Sequence, residues 1–88
     1  MRGLLGILMF SLIGIWQSGD VVYTFYPNHT GVVWDSVEGD TITKWYERGN
    51  KLILENCMYW NDTSILRFYP LGKDKFSLDG YIFKRKKK

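Results

Sequence analysis

Cys57 is the single cysteine, so the chain can close no internal disulfide and can build no metal centre from several thiolates. No cation flanks it. The electropositive setting of a reactive thiol is missing, and in an apolar strand the residue reads as a small core filler. His29 is likewise the single histidine and sits between Asn28 and Thr30 in a turn-forming stretch. That excludes a two-histidine metal cluster, and no Ser-His-Asp or Cys-His arrangement stands out in the chain. No glycine-rich loop of the kind that cradles phosphate is present either. The expectation is a protein that is not an enzyme and carries no cofactor.

Charge is scarce in the body of the chain. The formal net charge of +3 rests on the terminal run Lys84, Arg85, Lys86, Lys87 and Lys88; without it, seven cations face nine acids. The positive balance therefore describes a tail and not a basic face, and no nucleic-acid partner is expected. The tail could make a weak contact with an anionic membrane, at ~1 kcal/mol per cation near the surface. Lys84 and Lys86 also fit a di-lysine retrieval pattern, which would require a cytosolic tail on a membrane protein. A frayed, solvated terminus is the simpler reading.

Other charged and aromatic groupings are weighed against plainer roles. Asp35, Glu38 and Asp40 surround Gly39 and could hold a hard cation such as calcium, although a solvated acidic loop explains them as well. Trp45-Tyr46 with Lys44 and Arg48, and Tyr59-Trp60 with Arg67, interleave rings with cations as single-strand nucleic-acid binders do. In so small a domain such residues more often supply core on one side and strand pairing on the other. Asn28-His29-Thr30 and Asn61-Asp62-Thr63 match the glycosylation pattern, and both fall in turns.

What the chain has in quantity is aromatic and apolar side chains, 17% and 45% of 88 residues. A domain of this size buries only ~60–65% of its unfolded surface, so large rings, at ~150–250 Å² each, matter to its stability. They are arranged in alternating runs divided by Pro27-Asn28-His29-Thr30-Gly31, Gly49-Asn50, Asn61-Asp62, Gly72-Lys73-Asp74 and Asp79-Gly80. Such spacing, with no helical periodicity between the turns, predicts an all-β fold. About eight short strands are expected near 11–17, 20–26, 31–37, 40–48, 51–60, 63–70, 74–78 and 81–86, in an antiparallel up-and-down meander that closes into a small barrel or sandwich. Gly49-Asn50 suits a type II′ turn, Asp79-Gly80 a type I′ turn, and Pro70 should end its strand or lie on an edge. Val21, Tyr23 and Phe25 share one face and Val22, Thr24 and Tyr26 the other, so this strand should be covered on both sides or lie at a closure point. Strands this short favour a filled or shallow-mouthed barrel over a deep cup.

The N-terminus has two readings. Arg2 followed by apolar Leu4–Ile15 resembles the n- and h-regions of an export signal, and it falls short of the ~20 residues that span a bilayer. No Ala-x-Ala cleavage motif follows. Alternatively, Ser11–Gln17 is the first strand. The divisions expected are an apolar segment over 1–10, whose signal reading extends to residue 19, one β domain over 11–85, and a basic tail over 86–88.

Gly14-Ile15-Trp16, the following turn, Tyr23-Thr24-Phe25 and the Asn28–Gly31 turn together resemble the bacterial lipocalin-like domains, small β-meanders whose first strand carries Gly-x-Trp. Trp45 before Gly49-Asn50, Leu52-Ile53-Leu54 after it, Lys75-Phe76-Ser77-Leu78, Asp79-Gly80 and Tyr81-Ile82-Phe83-Lys84-Arg85 extend the similarity over Ser11 to Arg85. The family's usual lipid-attachment cysteine has no counterpart near the N-terminus. The resemblance implies a secreted or envelope-associated barrel that binds a small apolar ligand or a protein partner; a monomer is expected. Trp16, Tyr23, Phe25 and Trp45 are the candidates for ligand contact or structural support, with Trp16 on the barrel floor. Lys84, Arg85, Lys86, Lys87 and Lys88 are the candidates for anion or membrane contact. The alternative is an interaction module held against a membrane by that tail.

Overall fold

The computed structural model describes residues 11–57 and 62–86. Among them are nine β-strands and no helix: β1 (Gly14–Ser18), β2 (Val21–Phe25), β3 (Gly31–Trp34), β4 (Gly39–Ile42), β5 (Lys44–Arg48), β6 (Lys51–Cys57), β7 (Asp62–Pro70), β8 (Lys75–Leu78) and β9 (Tyr81–Arg85). Every pairing is antiparallel, in the order β4-β3-β2-β1-β9-β8-β7-β6-β5. The sheet curls into a nearly closed barrel, which is the all-β meander that the turn spacing predicts.

The ninth strand arises from the expected 40–48 strand, which is divided at Thr43. Its first half pairs with β3, Gly31 opposite Ile42; its second half pairs with β6, Trp45 opposite Leu54. At the change of partner, the Thr43 amide and hydroxyl both donate to the Glu55 carbonyl, at 3.2 and 3.0 Å. The two outermost strands of the sheet are thus one bent run of chain, and that bend closes the ring. β7 bends in the same manner: Arg67 is paired with Lys51 of β6, whereas Phe68 is opposite Leu78 of β8.

The closing pair at the other seam joins first and last strands, with Trp16 opposite Arg85 and Gln17 opposite Lys84. Gly14 makes this approach possible. Its φ of 133° is closed to most L side chains, and a Cβ there would lie 2.7 Å from the Arg85 guanidinium. Ser11–Ile13, expected within the first strand, instead forms an extended lead-in to β1 whose Leu12 is buried in the core.

Inside, alternate residues from all sides meet as a plug of rings. Trp16 packs edge-on to Phe76 at 4.7 Å; Phe76 contacts Phe68 and Phe83 at 5.3 and 5.4 Å, and Phe25 packs edge-on to Trp45 at 5.3 Å. The middle of the barrel is filled. On β2 the inward Tyr23 and Phe25 are buried and the outward Val22 and Thr24 half-buried, while Tyr26 lies past the strand end and is exposed. The turns follow their residues. Asp79 and Gly80 both adopt positive φ, as a type I′ turn requires; Gly49 alone does so in its turn, and Pro70 is the last residue of β7. The expected core position of the Cys57 side chain, with Met58, Tyr59, Trp60 and the Asn61 turn, lies outside the described residues.

Candidate functional site

The two ends of the barrel differ. One is sealed by Trp16 and Arg85. The indole of Trp16 is fully buried and donates to the Leu12 carbonyl at 2.8 Å. Over its face lies the Arg85 guanidinium, 4.2 Å from the ring centroid. That guanidinium donates through Nε to Asp74 Oδ1 (2.8 Å), through Nη1 to the Ile13 carbonyl (3.0 Å), and through Nη2 to the Ser11 and Lys73 carbonyls (2.9 and 3.1 Å). A planar fork with five N–H groups suits this task, since it can meet several acceptors while stacking. Arg85 is therefore turned inward, and of the basic run the structure leaves at the surface Lys84 and Lys86, the latter donating to Gln17 Oε1 at 3.2 Å. Lys87 and Lys88 lie outside the described residues.

The opposite end holds a cavity of about 430 Å³ between the β1–β2 turn, the β8–β9 turn and β7. Buried Tyr23, Leu78 and Phe83 form its base, and half-buried Val21 and Leu66 its walls. Ser18, Gly19, Asp79 and Tyr81 form the rim. Alternation explains the composition. Leu78 and Tyr81 face each other across the hairpin, as do Phe76 and Phe83, so the inward row continues from the core to the mouth. The row ends at Leu78 and the largely exposed Tyr81, and the space between the two turns stays open. The volume falls within the ~300–1,000 Å³ typical of small-molecule pockets.

Of the residues singled out from sequence, Tyr23 lies in this cavity. Trp16, Phe25 and Trp45 belong to the plug and do not line the cavity. Trp45 is clamped to the β2–β3 turn: its amide donates to the His29 carbonyl at 2.9 Å, its indole N–H to the Thr30 carbonyl at 2.8 Å, and its own carbonyl accepts from His29 Nδ1 at 2.8 Å. A carbonyl only accepts, so Nδ1 carries a proton. The imidazole also packs on the indole at 4.5 Å. His29 thus acts as a strut between the turn and β5, held at a φ of 69°. Glu47 is exposed at the surface, yet partial desolvation of its carboxyl raises it above the ordinary glutamate range, with His29 pulling the other way.

The acidic loop is built from backbone bonds. Asp35 Oδ1 accepts from the Val37 and Glu38 amides at 2.8 and 2.9 Å, with Glu38 the larger cause of its lowered pKa. Asp40 is buried and bonds the Thr41 amide. Among the described residues no group of His, Cys, Asp and Glu is placed to hold a metal ion. Asn28 Oδ1 accepts from the Thr30 amide and hydroxyl, a turn-stabilising role. The stacking platform suggested by Trp45 and Tyr46 does not form, since Trp45 is buried while Lys44 lies over the Tyr46 ring at 5.6 Å.

Leu66, Leu78, Asp79, Tyr81 and Phe83 were not identifiable as site residues from sequence. They converge through the β7–β8 and β8–β9 pairings, and the β1–β9 register then sets Val21 and Tyr23 beside them. Compared with protein families, characterised proteins and solved structures, the chain shows no significant match.

Proposed function

We propose that this protein is a non-catalytic binding module that takes a small apolar ligand at the open mouth of its barrel. The observation carrying the reading is the cavity of about 430 Å³ whose base and walls are Val21, Tyr23, Leu66, Leu78 and Phe83. Apolar surface left in a concave site of that size gains by excluding water, at ~25 cal/mol per Å² covered. The lipocalin-like reading adds the Gly14-Ile15-Trp16 strand at the sealed end, and with it an exported, monomeric protein working outside the cytoplasm. The tail-mediated membrane reading has less in its favour, because Arg85 is occupied by Asp74, Trp16 and three carbonyls.

A neutral environment-sensitive dye, N-phenylnaphthylamine, tests the proposal. Its fluorescence should rise saturably with the full chain, and Leu66→Trp, which places a large ring in the cavity, should abolish the rise while leaving the urea midpoint and the strand content by far-ultraviolet circular dichroism unchanged. An equal rise with Leu66→Trp would sink the reading.

A further inference from the structure

Resting on that reading, we infer that the mouth selects amphiphiles with a cationic head over those with a carboxylate. Among its nine lining residues a single one is charged, Asp79, and it stands on the rim. Three of the others are aromatic: Tyr23 and Phe83 at the base and Tyr81 on the rim. An alkyl chain seated on Val21, Leu66 and Leu78 would bring its head to the level of Asp79 and Tyr81. An ammonium there meets a carboxylate and the negative face of a ring, two attractions of the same sign. A carboxylate head meets repulsion from Asp79 and no lining cation.

Arg67 does not reverse this. Its Nε stands 3.7 Å from Asp79 Oδ1, and its side chain is 73% exposed. An exposed pair at that distance is a weak competitor, and the arginine does not line the cavity. Asp79 is also fixed in place, because its Oδ1 accepts the Arg67 amide at 2.9 Å and its own amide donates to the Arg67 carbonyl at 2.8 Å. The charge is therefore positioned before a ligand arrives.

The test is a displacement series against N-phenylnaphthylamine with decylamine, decanol and decanoate, which share a ten-carbon chain and differ in the head. Decylamine should compete about tenfold more strongly than decanoate, with decanol between them, and the gap should narrow in high salt. Asp79→Asn keeps the oxygen that accepts the Arg67 amide and tolerates the positive φ, so the fold should survive while the amine and the acid become equal. Decanoate competing as well as decylamine would overturn the inference while leaving the cavity reading intact. A preference unchanged in Asp79→Asn would overturn it too. If the dye itself fails to bind, the proposed function falls, and this inference with it.

Discussion

At the scale of single residues, charge is used in this molecule chiefly to hold backbone. Arg85 joins the lead-in to β1, the loop before β8 and the Trp16 ring, so its removal leaves several acceptors without their donor. Arg85→Ala should cost about 1–3 kcal/mol in urea unfolding, since four hydrogen bonds and a ring contact are lost although the Asp74 pair is only partly buried. Arg85→Lys should recover little of that, because an ammonium cannot both stack and donate in a plane. A loss below 1 kcal/mol for the alanine variant would mean that the sealed end is held by packing alone. Two carboxyls titrate in opposite directions for equally local reasons. Asp35 is held down by the Glu38 and Val37 amides, so its contribution is present above the ordinary aspartate range and fades as pH falls through its lowered value. Glu47 is pushed up by partial desolvation, offset in part by His29, so its ionisation opposes folding weakly, as befits an exposed side chain, as pH rises from the ordinary glutamate range to its raised value. Side-chain carboxyl NMR titrations should place Asp35 below and Glu47 above the values of the same residues in short peptides. The reverse order would contradict the bonding described at Asp35.

At the scale of strands and turns, the barrel tolerates very little room between β2 and β3. Gly31 pairs with Phe25, and a Cβ added to it would lie 2.5 Å from the Thr24 carbonyl oxygen, a backbone atom that cannot swing aside. Gly31→Ala should therefore lower stability by about 2–3 kcal/mol, measured as a shift of the urea midpoint at constant slope. A neutral substitution would show that the two strands are farther apart than described. These elements differ in how legible they are from sequence. Asp79-Gly80 and Gly49-Asn50 announce their turns because the chemistry of a turn is local, and the alternation of Phe76, Leu78 and Phe83 announces a buried face for the same reason. Thr43 carries no comparable signal. The 40–48 run reads as one strand because nothing within it says that its partner changes from β3 to β6. The mouth is illegible on the same grounds: Tyr23 stands out as an aromatic strand residue, whereas Leu66 and Tyr81 become its neighbours only through strand pairing across the ring.

At the scale of the whole molecule, closure makes β1 indispensable, and this bears on the two readings of the N-terminal sequence. β1 lies between β2 and β9, and it contributes Trp16 to the ring plug, with Leu12 of its lead-in buried beside it. A chain beginning at residue 20 would lose both side chains, would free Arg85 of its stacking surface, and would leave β2 and β9 as unpaired edges in an opened sheet. Open edges invite association, and a domain this small has little stability in reserve. Residues 20–88 should therefore give no cooperative urea transition and should lose near-ultraviolet circular dichroism, whereas residues 11–88 should unfold in one step seen alike by near- and far-ultraviolet signals. An export signal cleaved after residue 19 is incompatible with that behaviour, while one confined to residues 1–10 is not. If 20–88 unfolded cooperatively at the same midpoint as 11–88, the Gly14-Ile15-Trp16 strand would be an accessory to the barrel and not part of its wall, and the sealed end would have to be explained without Trp16.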